Sequence, residues 1–489
     1  MRFKMGADRN QLILFPNSLD EYIDEENVIR VIDIYVDHLE MAALGFTKTE
    51  PKDTGRPPYS PQDMLKLYIY SYVNRIRSSR RIENESKRNV EVMWLIKKLM
   101  PDHKTIARFR KDNSEALKNV FRDFVKLCMR LGLYGKELAA IDGSKFRAVN
   151  SKERNFNEAK LNDRIKRLTA RIDEYIQQLD ESDKKESEEE SEKTANIKEI
   201  VAELETRKTL YQSYKEELKL SGELQKSLAD PESKLMLDHN KYDVCYNVQT
   251  SVDSKHKLIA EFEVTNQGND MKQLSNMAQK TANILENPGL TVVADTGYNN
   301  ASEIASCIIK GINPQVAGSD GEICIPCDAD EAEVITSHEN GRGVYIPERN
   351  IFICPMGNAM YPGNYKNVDK SARFYNGRAC SKCTCRCTDT KYRDFNIRMK
   401  KSEFTRVYNA DNLYVKKVKI KTDKEIIGKR KELAEHPFGT IKRTMGAGHV
   451  LTKGVQCVTG EFSLVFLVYN LKRAVNIIGV KKLIAVMMM

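Results

Sequence analysis

The sequence has no long hydrophobic run. No segment approaches the roughly 18 apolar residues of a membrane-spanning helix, and the apolar stretch LILF near the start is too short for a signal peptide. These absences favour a cytosolic protein that does not associate with membranes. In a reducing compartment, the 11 cysteines are not expected to pair as disulfides.

Acidic residues are scarce in one part of the chain. Residues 401–489 hold 17 Lys and Arg against 7 Asp and Glu, so this segment accounts for the formal net charge of +10. A basic segment of this kind favours a polyanionic partner, and a merely soluble basic surface is the alternative. The length of 489 residues indicates two to four folding units.

The region from 20 to 135 is expected to be helical. Ser60 and Pro61 form a typical helix start, and an amphipathic pattern follows them. Arg108, Arg110 and Lys111 project from a later short helix, which suits a helix-turn-helix-like reader of DNA. A plain helical bundle with a basic face fits the same pattern.

Proline is absent between residues 155 and 228, where an apolar residue recurs every three or four positions from Leu161 to Leu179. This heptad spacing predicts long helices. An acidic break at 181–193 divides them, so we expect an antiparallel helical hairpin.

Cysteines concentrate between residues 320 and 395. The CSKC stretch places Cys380 and Cys383 at the spacing of tetrahedral zinc sites, and Cys354 and Cys387 could complete a four-thiolate set. The CIPC stretch at 324–327 is a second such pair, so other groupings and free thiols stay open. An all-thiolate site leaves no open coordination position, which favours a structural role for Zn²⁺.

Three carboxylates suggest a second metal site. Asp142 and Asp295 each end a short apolar strand, and Glu435 stands seven positions before Lys442 in EHPFGTIKR. Mg²⁺ prefers carboxylate oxygens, and two such ions can drive in-line attack on a phosphodiester. A helix would bring Glu435 and Lys442 to one face. The ordinary alternatives are a helix cap or turn for each aspartate and a surface position for Glu435 and Lys442.

Four stretches in this order, AIDGSKFRA, YNVQTSVD, VVADTGY and EHPFGTIKR, resemble the DDE transposases of bacterial insertion sequences. The resemblance is to the branch with a Glu-x6-Lys third motif, an N-terminal helical domain and a cysteine-rich insertion, and it covers about residues 10 to 480. It implies an α/β fold, a ribonuclease H-like mixed sheet flanked by helices. Its implied divisions are an N-terminal helical DNA-binding domain (1–135), a catalytic core (136–153, 231–319 and 396–489), a coiled-coil insertion (154–230) and a cysteine-rich, zinc-binding insertion (320–395).

The resemblance also implies roles for individual residues. Asp142, Asp295 and Glu435 correspond to the three catalytic acids that bind Mg²⁺ or Mn²⁺, and Lys442 corresponds to a lysine that contacts DNA. Arg443, Arg108 and Arg110 are further candidate DNA-binding residues. Some relatives carry a Tyr and an Arg seven and four positions before the glutamate, whereas this sequence has Gly428 and Lys431 there, so the roles of that pair do not transfer.

The implied activity is DNA transposition. The protein is expected to bind terminal inverted repeats as a homodimer or higher multimer, cleave DNA with divalent metal ions and join 3′-hydroxyl ends to target DNA. The expected location is the cytoplasm, in association with the nucleoid. Alternatives are a nuclease of the same fold without strand transfer, a catalytically silent DNA-binding regulator, and a zinc-stabilised scaffold.

Overall fold

The computed structural model describes residues 18–50, 57–182, 188–238, 241–327, 341–346, 350–367, 369–384, 387, 390–399 and 414–488. Its α-helices are α1 (Val28–Asp37), α2 (Pro61–Val73), α3 (Ser79–Arg88), α4 (Val90–Leu95), α5 (His103–Asp112), α6 (Ser114–Arg130), α7 (Glu158–Ser182), α8 (Glu188–Ser221), α9 (Leu274–Leu285), α10 (Ala301–Ile309), α11 (Gly377–Ser381), α12 (Lys424–Gly439), α13 (Val455–Ile478) and α14 (Val480–Met487). Side-chain caps set where two of them begin. Ser60 accepts from the Gln62 amide ahead of α2, and Asp102 accepts from two amides of α5.

The strands are β1 (Leu138–Arg147), β2 (Asn155–Asn157), β3 (Gln225–Ser227), β4 (Lys234–Asp238), β5 (Lys241–Asp253), β6 (Ile259–Thr265), β7 (Thr291–Ala294), β8 (Asn313–Val316), β9 (Gly321–Cys327), β10 (Gly341–Arg342), β11 (Val344–Ile346), β12 (Ile351–Ile353), β13 (Ala359–Lys366), β14 (Ser371–Tyr375), β15 (Asp394–Arg398) and β16 (Tyr414–Ile420). The largest sheet is mixed. Strand β5 pairs antiparallel with β1, β4 and β6, whereas β1, β7 and β8 run parallel to one another. An α/β fold with an N-terminal helical region is thus confirmed, and the mixed sheet is consistent with a ribonuclease H-like fold.

Two long helices lie where the sequence predicts a helical hairpin. Leu168 and Ile172 of α7 pack with Leu204 of α8, and Leu161 of α7 packs near Leu218, close to the end of α8. These contacts run in opposite directions along the two helices, so the pair is antiparallel. It leaves the main sheet after β1 and the short strand β2, and the chain returns through β3.

The N-terminal helices share one hydrophobic core with the main sheet. The ring of Phe262 on β6 lies between Phe121 of α6, at a centroid distance of 5.2 Å, and Phe466 of α13, at 4.7 Å. The boundary expected at residue 135 therefore separates two elements but does not separate two cores. Helix α12 packs across β1, β5 and β7, and this position brings it to the site described next.

No single helix in the described ranges is long and apolar enough to cross a membrane. Helices α13 and α14 pass a length and composition test only when they are taken together, and they are bent by 107°.

Candidate active site

Two aspartates lie side by side where β7 ends. Ala140 of β1 pairs with Val293 of β7 in parallel register, so Asp142 and Asp295 come to the same level two residues later. Side chains two positions apart on a strand share a face. Ala140 and Val293 pack against Leu433 and Ala434 of α12, and Asp142 therefore faces the side of the sheet that α12 covers.

The Asp142 carboxyl is in an unfavourable place for a negative charge. Burial and the nearby charge of Asp295 raise its pKa to about 7, although Arg430 and the Gly143 amide act in the opposite direction. The Arg430 Nη1 of α12 lies 3.9 Å from Asp295 Oδ2. A pair of carboxylates in which one resists ionisation is a good candidate for binding a cation.

A buried hydroxyl lies across from Asp142. Thr250 is its direct partner on β5, and the Thr250 Oγ1 has no hydrogen-bond partner within the described part of the chain. Opposite residues of an antiparallel pair share a face and have Cβ atoms about 5 Å apart. The hydroxyl can therefore donate to Asp142 or to a group bound beside it.

A fourth carboxylate lies next to this pair, and sequence reasoning missed it. The Oδ1 of Asp270 accepts from Asn247 Nδ2 at 2.7 Å and from Gln249 Nε2 at 2.6 Å. The hydroxyl of Tyr298 donates to Gln249 Oε1. A residue of the VVADTGY stretch therefore orients a residue of the YNVQTSVD stretch. Polar Asn247 and Gln249 alternate with buried Val248 and Tyr246 on a central strand, and that alternation was the available signal.

Glu435 does not join the aspartates in this conformation. Helix α12 turns Arg430 towards Asp295, and five residues later Glu435 points about 140° away on a regular helix. Its side chain is exposed and borders a shallow cavity of about 520 Å³ with Lys431 and His436. In this conformation, no three or more His, Cys, Asp or Glu side chains of the described residues are grouped closely enough to be metal ligands, so the expected convergence of Asp142, Asp295 and Glu435 is not observed.

Lys442 lies in a different environment from Glu435. Residues Thr440–Thr444 form a π-helical turn, and the Lys442 Nζ donates to the Lys145 carbonyl at 2.8 Å and lies 4.7 Å from the centre of the Phe146 ring. Burial lowers the pKa of this lysine. The π turn departs from the regular α-helix on which the predicted shared face of Glu435 and Lys442 depends, and the two side chains have different neighbours.

The other candidate DNA-binding residues divide into two groups. Arg443 and Arg108 are exposed, and Arg108 borders a cavity of about 650 Å³ with Tyr59 and Asp102. Arg110 is only 6% exposed, and its Nη1 donates to the Tyr72 hydroxyl. Its expected contact with DNA does not fit this structure, because the guanidinium is enclosed in the protein core.

Three cysteines of the cysteine-rich region lie in a small apolar cluster. Cys354 and Cys380 are buried together with Phe374, Cys383 packs against them, and Cys387 is exposed. Burial raises the pKa of the Cys354 thiol, so the protonated thiol is favoured when no metal is bound. The expected four-thiolate site is not assembled among these described cysteines. The side chains of Cys324 and Cys327, and all of Cys385, lie outside the described residues.

Comparison with known proteins gives two family matches. Residues 17–112 match the family described as Transposase domain (DUF772), and residues 353–475 match the family described as Transposase DDE domain. No functionally curated protein matches the chain.

A solved structure titled as a piggyBac transposase synaptic complex with hairpin DNA is similar over 94% of this chain and 79% of that chain. The identity is 8% and the TM-score is 0.31. A superposition this loose carries no argument about fold or mechanism.

Proposed function

We propose that this chain is a DDE transposase, an enzyme of DNA cleavage and transfer, and that it acts on the ends of a mobile DNA element. It binds the terminal inverted repeats as a multimer, cleaves phosphodiester bonds with two divalent metal ions and joins the 3′-hydroxyl ends to target DNA. The DDE domain match supports the chemistry. The observation that carries the proposal is the parallel register that sets Asp142 beside Asp295.

The residues at this position fit a divalent cation. Asp142 and Asp295 supply carboxylate oxygens, which are the ligands that Mg²⁺ and Mn²⁺ prefer. Burial and then the charge of Asp295 raise the pKa of Asp142, and a bound cation would offset both effects. When bound, divalent ions in such a site activate the attacking oxygen and stabilise the leaving oxygen. Thr250 can hold Asp142 in place through its unpaired hydroxyl.

Glu435 completes the site after a rearrangement of α12. Pro437 lies inside this helix, and a π-helical turn follows directly. Moving the extra residue of the π turn to the N-terminal side of Glu435 would rotate Glu435 by about 100° relative to the preceding part of the helix. DNA binding at Lys442 and Arg443 is a suitable trigger, because both residues belong to the π turn.

The test separates the aspartates from Glu435. Asp142→Asn and Asp295→Asn should each reduce Mg²⁺-dependent cleavage of end-containing DNA by at least about 10³-fold, as expected for members of one catalytic unit, and should leave DNA binding intact. They should also weaken Mn²⁺ binding by the DNA-free protein, measured by electron paramagnetic resonance. Glu435→Gln should abolish cleavage but leave that Mn²⁺ affinity unchanged.

Glu432→Gln is the matched control, because Glu432 is an exposed acid on the same helix and pairs with Lys257 at 2.5 Å. It should cleave normally. Undiminished cleavage by Asp142→Asn would falsify the assignment of the site. A strand-transfer assay with precut ends then distinguishes a transposase from a nuclease, since a nuclease leaves such ends unjoined.

A further inference from the structure

Asp270 is held in a fixed orientation by its neighbours. Both Asn247 and Gln249 donate to its Oδ1, and they are 1% and 0% exposed. The Asn247 Nδ2 also donates to the Gln267 carbonyl, which fixes the orientation of that amide. The Oδ1 of Asp270 thus accepts two hydrogen bonds, and these bonds fix the orientation of the carboxylate and therefore the position of Oδ2.

The second oxygen faces Asp295 across a glycine. A Cβ atom added to Gly297 would lie 2.9 Å from Asp295 Oδ1 and 4.0 Å from Asp270 Oδ2. Both carboxylates therefore border the space that the missing side chain leaves. The Asp295 Oδ1 accepts from the Gly297 amide, so its position is fixed as well.

A separate observation concerns the Oδ1 side of the same carboxylate, where a buried acceptor lacks a donor. The Oδ1 of Asn247 is buried and has no hydrogen-bond partner among the described residues. It lies against Gly143, where an added Cβ would be 3.0 Å from it and 2.7 Å from Asp270 Oδ1. A buried acceptor without a donor is costly unless a cation or a water of its hydration shell satisfies it.

We propose that Asp270 is a further metal ligand of this enzyme. Asp270 and Asp295 share one divalent cation, which Asp270 contacts directly or through one water bound to that ion. This inference rests on the proposed cation-dependent function. It gives the YNVQTSVD stretch a role, because Asn247 and Gln249 orient the ligand and Tyr298 orients Gln249. Carboxylate and amide oxygens together are a donor set that hard cations accept.

The experiment measures Mn²⁺ affinity of the full chain by electron paramagnetic resonance, without DNA. Asp270→Asn is the informative variant, since asparagine keeps an oxygen that accepts from Asn247 and Gln249 and replaces only the oxygen that faces Asp295. We expect at least about tenfold weaker Mn²⁺ binding, with Mg²⁺-dependent cleavage reduced in parallel. Glu263→Gln is the control, because Glu263 lies on β6 in the same sheet and pairs with Lys280 instead.

The outcomes are distinct. Wild-type affinity in Asp270→Asn overturns the inference and leaves the proposed function intact, whereas a wild-type protein that binds no Mn²⁺ overturns both. If Asp270→Asn does not fold, Asp270→Glu decides, because it keeps the charge and moves the oxygens by one methylene. An unchanged affinity in that variant would show that charge alone matters, which also contradicts a fixed ligand.

Discussion

At the scale of single residues, the main feature of the site is how its surroundings affect the negative charge of the Asp142 carboxylate. Asp142 is held among Asp295, Asp270 and Arg430, and the two acids and burial together outweigh the arginine. The side chain therefore tends to keep its proton when no cation is bound. Under the proposed function, cation binding is therefore coupled to proton release at Asp142.

This coupling predicts an unusual pH dependence of stability. Folding raises the pKa of Asp142 from 3.8 to about 7, so between these values the folded protein holds a proton that the unfolded chain has released. The stability from Asp142 is present below pH 4 and is lost as the pH rises through 7. With a chelator present, the melting temperature of Asp142→Asn should therefore gain at least about 2 °C on wild type between pH 4 and 8. If the difference between the melting temperatures of Asp142→Asn and wild type did not change with pH, this result would contradict the raised pKa of Asp142.

At the scale of elements, one close approach joins the first half of the chain to its last long helix. Gly460 of α13 lies against α6, where an added Cβ would be 2.8 Å from the Cα of Ser114. A backbone atom cannot rotate away as a side chain can, so only glycine fits at position 460 without a shift of the two helices. The approach holds α6 and α13 around the Phe262 ring.

Gly460→Ala should therefore lower the free energy of unfolding by about 1–3 kcal/mol through overpacking. Gly428→Ala is the matched control, since Gly428 is in α12 and an added Cβ there meets nothing within 4 Å. It should raise the free energy of unfolding by about 0.5–1 kcal/mol, because alanine favours helix. Urea unfolding measures both, and equal effects of the two variants would exclude the close approach as the cause.

At the scale of the whole molecule, a buried ion pair connects the N-terminal helices to the segment after Lys442. Arg77 donates to Glu461 at 2.5 Å and to the carbonyls of Gly446 and His449. Glu461 also accepts from the Leu451 and Thr452 amides, and it is 1% exposed. Arg77 and Arg110 together lower its pKa despite burial.

Glu461→Gln should destabilise the protein by about 3–5 kcal/mol, because it leaves Arg77 and Arg110 buried without their carboxylate. Trp94, the only tryptophan, reports on the N-terminal helices, and far-ultraviolet circular dichroism reports on the whole chain. The urea midpoints from both signals should fall together. The control Glu203→Gln, on an exposed pair with Arg207 in α8, should change the free energy by less than about 1 kcal/mol. A Trp94 transition that does not move would mean that the helices have a separate core.

Sequence reasoning located features that depend on local pattern. The end of β7 directly before Asp295 follows from a short apolar run, and the α7 and α8 helices follow from heptad spacing without proline. The strand end expected at Asp142 is wrong, because β1 continues to Arg147. Sequence reasoning did not predict that Arg110 is buried or where Glu435 points. Both depend on which face of a helix packs against the rest of the protein, and the charge of a residue does not indicate that face. Asp270 was missed because its neighbours Asn247 and Gln249 come from a strand more than 20 positions away.

The packing of α6 against α13 has a consequence for synthesis. During translation, residues 114–130 leave the ribosome more than 300 residues before their packing partner at 455–478 has been made. Until then, the apolar face of α6 that α13 will cover has no permanent neighbour. This exposed apolar face favours transient contacts or chaperone binding during most of elongation, and the packing of the two helices can form only after the last long helix has been made.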